Sequence, residues 1–454
     1  MTAESFERAR AEFIAGNAAF EAGRLSEAEA HFLASLQALP GRPSTLVNLA
    51  AVRLQLGRPA EAVEPLRAAL ATQPDDAQAW HHLGAALVEL KQHEQALQAL
   101  DRALALGAQL PAAHYRRGLA LVGLERAEQA AQAWEQAVAL DDRFVAAWVD
   151  LGSLMRDLGR PGRARECLER ALALGADDAL IRFQLAGLQA AARAPESPPR
   201  AYVEQLFDGY ADGFDQHLVQ GLGYRTPQLL AEGLVDTGVT ARGAAAFATA
   251  LDLGCGTGLC AQPLAPWVGR LDGVDLSAAM LDKARTLGRY DRLIHADVVE
   301  HLQRTERRYA LVVAADVFVY LGALEPVFSG VRRVLEPGGV FCFSVEAWDG
   351  QTGPQTGAQT GAQGGGAHAR AGEAGRDSAP GKVQASGFSD AEDPATPGYL
   401  LRPTLRYAHT EAYVRSLAQA VGFQVCATRR HALRQDHGAT VQGLCAWLRL
   451  PHRA

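Results

Sequence analysis

The stretch ALDLGCGTGLCAQPLA, residues 250–265, places three glycines at alternate positions directly after a short apolar run that contains an aspartate. Because glycine lacks a β-carbon, a loop of this composition lets a ligand approach the main chain closely. The apolar run predicts a buried strand, and the residues after the glycines predict the start of a helix. The ligand of this loop therefore decides the chemistry of the chain.

The residues after the loop alternate between predicted strands and helices. Further strands are predicted at RLDGVDLS, which ends at Asp275, at RLIHADV, which ends near Asp297, at YALVVAADVFVYL and at VFCFSVE. Two closing strands are predicted at residues 423–431 and 441–450, after a helix capped by Gly422. This alternation indicates an α/β, Rossmann-like domain with a doubly wound, mostly parallel sheet of seven strands.

One segment interrupts this pattern. Residues 349–397 include QTGPQTGAQTGAQGGG, a tract of glycine, glutamine and threonine with almost no apolar side chains. Such a segment cannot bury enough surface to offset the entropy that is lost on ordering. We therefore expect residues 349–397 to form a disordered insertion.

The N-terminal part carries an internal repeat with a constant step of 34 residues. One column of the repeat is always alanine, a second is always glycine or alanine, and a third is always bulky. The columns are Ala28, Ala62, Ala96, Ala130 and Ala164; Gly16, Ala50, Gly84, Gly118 and Gly152; and Phe32, Leu66, Leu100, Trp134 and Leu168. The pattern predicts one helix pair per repeat, with small residues where the helices cross and large ones between neighbouring repeats.

The repeat resembles the tetratricopeptide repeat. The residues on that family's signature are Trp80, Leu83, Gly84, Ala96 and Ala103. We expect an all-α solenoid at residues 9–193, with five repeats and a capping helix at 179–193, and a proline-rich linker at 194–200. Trp80, Trp134 and Trp148 are expected in the solenoid core.

The resemblance implies a protein or peptide partner for the concave face of the repeats. Members that clamp a carboxylate carry lysine and asparagine at particular positions of the first helix. This sequence has residues such as His81 and Ala85 there, which argues against that class of partner.

The bulk composition excludes several function classes. A net charge of −7 and a pI near 6.0 argue against nucleic acid and anionic membranes as partners. The six cysteines are scattered without a CxxC pair, so a disulfide framework and a bound metal are not expected. With no apolar signal segment at the start and no long apolar run, we expect a cytoplasmic protein.

Three ligands compete for the glycine loop. A nucleoside triphosphate site requires GxxxxGK[ST], and no lysine followed by serine or threonine comes after these glycines. A dinucleotide site requires GxGxxG, and Leu259 replaces its last glycine, which weakens that interpretation without removing it. The third ligand is S-adenosylmethionine, whose ammonium and sulfonium groups favour acidic residues around a glycine turn.

LDLGCGTG, residues 251–258, resembles the first motif of class I methyltransferases. DVFVYLG and VRRVLEPGGVFCFSVE resemble later segments of that family, in the expected order. The resemblance implies that residues 201–454 bind S-adenosylmethionine, with Asp275 accepting hydrogen bonds from both ribose hydroxyls and Asp297 binding the adenine amino group. It implies further cofactor contacts at Asp252, Gly254, Cys255, Gly256, Gly258, Leu276, Met280, Val298 and Ala315. Nearly the whole chain outside residues 349–397 resembles bacterial methyltransferases that contain tetratricopeptide repeats.

Candidates for acceptor chemistry lie outside these motifs. His409, expected at the open end of the sheet, is a candidate general base, although it could instead bond a backbone carbonyl. Arg406 and Tyr407 are candidates for binding an acidic acceptor, with surface packing as the alternative. Tyr210 and Phe214 are candidates to close over the methyl group, or they pack an amphipathic helix on the sheet.

The leading hypothesis is a methyltransferase that acts on the hydroxyl or carboxyl of a small molecule, with the repeats as a docking platform. The alternatives are a protein methyltransferase whose repeats present the substrate, and a non-catalytic repeat scaffold. DVFV does not resemble the NPPY tetrad, which argues against methylation of amides or of exocyclic amines in nucleic acid. Arg434 is a further, weaker candidate for the acceptor site.

Overall fold

A computed structural model describes residues 3–107, 109–176, 178–189, 194–211, 213–240, 246–350, 398–436 and 439–452. The chain divides into two compact units, Met1–Leu188 and Gln189–Ala454. Apart from Asp349 and Gly350, the insertion expected at residues 349–397 lies outside the described residues.

The first unit is a tetratricopeptide-type helical solenoid. Its described residues form α1 (Ala3–Glu21), α2 (Leu25–Ala38), α3 (Pro43–Gln55), α4 (Pro59–Thr72), α5 (Ala77–Glu89), α6 (His93–Ala105), α7 (Pro111–Gly123), α8 (Ala127–Leu140), α9 (Val145–Asp157), α10 (Pro161–Ala173) and α11 (Asp178–Gln189). Each odd-numbered helix from α1 to α9 packs on the even-numbered helix that follows it. Proline begins α3, α4, α7 and α10, where its missing N–H needs no partner.

The step of 34 residues corresponds to a direct contact between the two helices of one repeat. A β-carbon at Gly118 would lie 2.1 Å from Nε1 of Trp134, and one at Gly84 would lie 2.5 Å from Cγ of Leu100. Gly16 and Gly152 meet the bulky residues 16 positions later, Phe32 and Leu168, in the same way. The bulky column therefore packs against the small column of its own repeat, a contact that was not predicted from the sequence.

The three tryptophans of the solenoid are not equally buried. Trp134 is 4% exposed, whereas Trp80 and Trp148 are half-buried. The indole N–H groups of Trp80 and Trp148 donate to the carbonyl oxygens of Pro74 and Asp142, at 2.8 and 2.9 Å. Only Trp134 fits the core role expected for all three.

The second unit is an α/β domain. Its helices are α12 (Arg200–Tyr210), α13 (Thr226–Asp236), α14 (Ala261–Leu264), α15 (Ala278–Thr286), α16 (Val298–Arg304), α17 (Glu325–Val334) and α18 (Glu411–Val421), with a π-helical turn at Gln216–Gly221. Its strands are β1 (Phe247–Leu253), β2 (Val268–Asp275), β3 (Arg292–His295), β4 (Tyr309–Ala314), β5 (Leu335–Ala347), β6 (Tyr399–Leu401), β7 (Tyr407–His409), β8 (Gln424–Asp436) and β9 (Ala439–Arg449).

The described strands form one mixed sheet. Strands β3, β2, β1, β4 and β5 run parallel in that order, and β9 then pairs antiparallel with β5 and with β8. These seven match the number expected, but β6 and β7 add a short antiparallel pair beside the end of β5. Three-residue strands are too short to show a period in the sequence.

The fourth strand is shorter than the sequence suggested. It ends at Ala314, and a single 3₁₀ turn at Phe318–Tyr320 occupies the rest of the apolar run. Asp316, between them, has a φ of 57°, which no strand residue adopts. The apolar run remains buried because Phe318 packs into the core beside Phe341 and Phe343.

Candidate active site

A cavity of about 620 Å³ lies at the edge of the sheet where β1, β2 and β4 end. Its volume is within the range of small-molecule sites. The loops after these strands supply one wall, and residues 197–222 supply the facing wall. The carboxyl ends of parallel strands are the usual ligand site of open α/β sheets, so the topology itself favours this position.

The glycine loop after β1 forms part of the wall. Gly254 and Gly256 have φ values of 63° and 54°, in the left-handed region that glycine adopts without strain. A β-carbon at Gly254 would stand 2.5 Å from Cγ2 of Val317, whereas one at Gly256 would meet no atom within 4 Å. The backbone at Gly256 is thus open to a ligand in the cavity.

Asp275, the last residue of β2, lines the cavity with a carboxylate that is held in place on both sides. Oδ2 accepts from the N–H of Gly256 at 2.8 Å, and Oδ1 accepts from the N–H of Ser277 at 2.9 Å. Burial raises the pKa of this carboxyl, against the opposing effect of its backbone donors. A carboxylate in this position retains lone pairs for two ligand hydroxyls.

Asp297 lies after β3 and caps the N-terminus of α16. Its Oδ1 accepts from the N–H groups of Val299 and Glu300 at 2.9 and 3.0 Å, while the residue also lines the cavity. The cavity wall contains nine of the eleven residues that the resemblance assigned to the cofactor. They are Gly254, Cys255, Gly256, Asp275, Leu276, Met280, Asp297, Val298 and Ala315.

The other two, Asp252 and Gly258, do not line the cavity. Asp252 is fully buried, and its Oδ2 accepts from the hydroxyl of Tyr290 at 2.8 Å. Burial raises the pKa of Asp252 to about 7. A β-carbon at Gly258 would stand 2.6 Å from Leu287. The buried carboxylate of Asp252 therefore supports the loop from below, which corrects the prediction that it contacts the ligand, whereas the contact predicted for Gly258 stays a prediction.

The facing wall is formed by residues 197–222, which we call the cover segment. Two of its carboxylates contact the loops of the opposite wall: Asp208 Oδ1 accepts from Oγ of Ser277 at 2.6 Å, and Asp215 Oδ1 accepts from Oγ1 of Thr257 at 2.5 Å. Thr257 also lines the cavity, although the sequence analysis did not assign it.

Aromatic side chains of the cover segment pack on one another and line the cavity. The rings of Tyr210 and Phe214 lie 5.4 Å apart, and Phe207 packs edge-on against Tyr320 at 5.2 Å. Tyr210 and Phe214 both line the cavity. That they close over the methyl group stays a prediction.

His409 and Tyr407, in contrast, do not line the cavity. His409 is fully buried on β7, where its Nε2 donates to the carbonyl of Gly322 at 3.0 Å and its ring stacks on Tyr413. Burial lowers the pKa of His409 to about 4. The hydroxyl of Tyr407 donates to the carbonyl of Pro195 at 2.6 Å. Both residues hold backbone in place, so the prediction that they act on the acceptor is wrong.

Arg406 does line the cavity, together with Arg434 and Asp316. Arg434 is 4% exposed and donates from Nη1 to Oδ2 of Asp316 at 2.7 Å. Asp316 was not predicted as a site residue, because its arginine partner lies 118 positions away in the sequence. The rare positive φ of Asp316 cannot be read from the sequence.

The described residues contain no group of three or more histidine, cysteine or acidic side chains that could hold a metal ion. Within the same residues, every helix is too short or too polar to span a bilayer. All six cysteines are free, and Cys426 alone is partly exposed.

Comparison with known families divides the chain in the same way. Residues 250–339 match the model of the methyltransferase domain family. Residues 19–81, 53–120 and 145–188 match models of the tetratricopeptide repeat.

Two curated relatives are each similar to about a hundred residues of the chain. The chain is 37% identical over 99 residues to the malonyl-[acyl-carrier protein] O-methyltransferase of Geobacter sulfurreducens, covering 21% of this chain and 37% of that protein. It is 34% identical over 103 residues to nodulation protein S of Rhizobium tropici, covering 21% of this chain and 42% of that protein. The chain thus spans about two fifths of the length of these relatives.

Among solved structures, MamA 41-end from Desulfovibrio magneticus RS-1 is similar to part of the chain. The identity is 24%, the TM-score is 0.34, and the match covers 37% of this chain and 94% of that one.

Proposed function

We propose that this chain, in which tetratricopeptide repeats precede a class I methyltransferase domain, transfers the methyl group of S-adenosylmethionine to an oxygen of a small molecule. The proposal rests on the composition of one wall of the cavity. The open backbone of Gly256 and the carboxylates of Asp275 and Asp297 lie together there, at the ends of β1, β2 and β3.

These residues fit the chemical groups of the cofactor. A carboxylate at the end of β2 suits the two ribose hydroxyls, and the left-handed glycines admit the ligand to the backbone. Leu259 lines the cavity where a dinucleotide motif has its third glycine, so the close helix packing beneath a pyrophosphate is missing. S-adenosylmethionine supplies an electrophilic methyl group that its positive sulfur already activates.

The cover segment favours a small acceptor over a polypeptide. Residues 197–222 contribute ten of the lining residues, including Phe207, Tyr210 and Phe214. An aromatic wall excludes water and holds the two reactants in line, which is most of what such a displacement requires of the protein. The similarity to the Geobacter protein, an O-methyltransferase, supports oxygen as the receiving atom.

The repeats are proposed as a platform for a protein partner. Asn48, His82, Arg116 and Asp150 occupy the same position in four consecutive repeats, on α3, α5, α7 and α9, and all are half-buried. A line of polar groups on successive helices can bond an extended peptide. The six free cysteines agree with action in the reducing cytoplasm.

Calorimetry on the full chain tests the cofactor. We expect S-adenosylmethionine and S-adenosylhomocysteine to bind, NAD not to bind, and Asp275→Ala to weaken binding at least about tenfold. Asp282→Ala is the matched control, because Asp282 is an exposed carboxylate on α15 that pairs with the exposed Arg285. Preferential binding of NAD, or no loss in Asp275→Ala, would contradict the proposal.

A further inference from the structure

Among the described acidic residues that line the cavity, Asp316 alone has a positive φ. Its φ of 57° is in the left-handed region, which costs a residue with a β-carbon free energy and which concentrates at functional sites. It is followed by Val317, whose methyl groups pack against Gly254 of the glycine loop. Asp316 therefore directly precedes a residue that contacts the glycine loop.

The structure fixes the direction of this carboxylate. Oδ1 accepts from Oγ of Ser344 at 3.0 Å, and the same oxygen of Ser344 accepts from the N–H of Asp316 at 2.8 Å. Oδ2 accepts from Nη1 of Arg434 at 2.7 Å. A carboxylate has about four lone-pair positions, so positions remain for a ligand that donates a hydrogen bond.

The arginine beside Asp316 is neutralised by a second carboxylate. Arg434 also bonds Oε1 of Glu346, which is 2% exposed and whose Oε2 accepts from Arg402 at 3.1 Å. These two arginines and two carboxylates carry no net charge together. Arg434 therefore orients Asp316 and does not present an uncompensated positive charge to an anion.

From these contacts we propose that Asp316 binds the methyl acceptor and removes its proton, and that the acceptor is a neutral hydroxyl on an apolar molecule. This inference rests on the proposed function. An acceptor carboxylate would be repelled by Asp316 at hydrogen-bond distance, and an ammonium would stand beside the guanidinium of Arg434. A hydroxyl donates to Asp316 without either conflict.

Apolar residues of the cavity wall specify the body of the acceptor. Leu218, Leu222, Tyr224 and Pro227 line the cavity, and the carbonyl of Leu222 accepts from the N–H of Gln435, the residue after Arg434. These side chains offer apolar surface and one phenol, which suits a hydrophobic alcohol or a phenol.

The chemical step balances with this assignment. The carboxylate of Asp316 takes the hydroxyl proton as the acceptor oxygen forms its bond to the methyl carbon. The bond from that carbon to sulfur breaks, and the sulfur keeps the electron pair. The products are a methyl ether, a neutral thioether and protonated Asp316, which returns its proton to water.

The test uses three probes that share one apolar body: para-butylphenol, para-butylbenzoate and para-butylbenzylamine. Each is titrated into the full chain saturated with S-adenosylhomocysteine, by calorimetry. We expect the phenol to bind most tightly in the parent protein. Asp316→Asn is expected to weaken phenol binding at least about tenfold, because the amide replaces a charged acceptor, while S-adenosylhomocysteine binds as before.

Asparagine tolerates the left-handed backbone, and Asp316→Gly removes the carboxylate while relieving the strain, so two variants guard against misfolding. Asp236→Asn is the control, an exposed carboxylate that pairs with Arg429. If S-adenosylhomocysteine binds but the phenol is not preferred, or if both Asp316 variants keep that preference, this inference is overturned. If S-adenosylhomocysteine does not bind the parent protein, the proposed function itself fails.

Discussion

The hydroxyl of Tyr290 donates a hydrogen bond to Oδ2 of Asp252 beneath the glycine loop, at 2.8 Å. Asp252 is fully buried, and burial is the main cause that raises its pKa to about 7. The hydrogen bond from Tyr290 opposes that rise, because it stabilises the charged form. The carboxyl of Asp252, which supports the loop, therefore has its pKa near neutral pH.

This titration predicts a pH dependence of stability. The folded state keeps the proton of Asp252 to about pH 7, while the unfolded chain loses it near the ordinary value of 3.8. The protonated carboxyl of Asp252 therefore stabilises the fold fully below about pH 3.8. This contribution to the free energy of unfolding, up to about 4 kcal/mol, is lost as pH rises through about 7. Amide hydrogen exchange of β1 and β2 should show a loss of protection over this range, relative to Asp252→Asn.

Tyr290→Phe supplies the companion measurement. Without the hydroxyl donor, the pKa of Asp252 in the folded state should rise further. The loss of amide protection should therefore extend to higher pH than in the parent protein. A pH profile for Asp252→Asn that matches the parent protein would show that Asp252 does not carry the effect.

His409 should remain neutral through the physiological range. Its pKa is lowered to about 4 by burial, so its contribution to stability is complete above the ordinary value of 6.5 and is lost as pH falls through about 4. The imidazole resonances of His409, assigned by their absence in His409→Phe, should not shift between about pH 6 and 8. A midpoint near 6.5 would restore His409 as a candidate base.

The cover segment should depend on its two carboxylate contacts. Asp208→Ala and Asp215→Ala each remove a hydrogen bond to Ser277 or Thr257 and should weaken S-adenosylhomocysteine binding by roughly three- to tenfold. Faster amide exchange at residues 200–211 should accompany the loss. Glu204→Ala is the control in the same helix, because its 3.9 Å pair with His295 is exposed and contributes little. Equal effects of all three variants would argue against specific contacts.

The helix crossing in the fourth repeat should not tolerate a methyl group. Gly118→Ala places a β-carbon 2.1 Å from the indole of Trp134, and we expect a loss of about 1–3 kcal/mol in the free energy of unfolding of the repeats. Gly162→Ala, on α10 with no atom within 4 Å of the new carbon, should instead be neutral or slightly stabilising. Denaturant titration followed by helical circular dichroism compares them.

Local rules explain why much of this architecture could be predicted from the sequence. The 34-residue step reflects one contact made within every repeat, so it leaves a periodic trace in the columns of Gly118 and Trp134. Asp275 and Asp297 could be placed because the carboxyl ends of parallel strands meet at one edge. For these residues, position along the chain determines position in space.

The remaining site residues depend on pairing between distant segments. Asp316 and Arg434 meet because β8 and β9 return beside β5, which the sequence around either residue does not encode. His409 was expected at the open end of the sheet, but β7 pairs with β5 and buries it. Asp252 was taken as a ligand contact because it belongs to the motif, yet its side chain lies beneath the loop.

Each glycine of the small column of the repeats meets a bulky residue from the same repeat, as Gly16 meets Phe32 and Gly152 meets Leu168. A block of 34 residues therefore carries one of its main packing contacts within itself. Duplication or deletion of one such block in the gene would change the length of the array without separating any of these pairs. The array can thus evolve in whole units while the α/β domain stays unchanged.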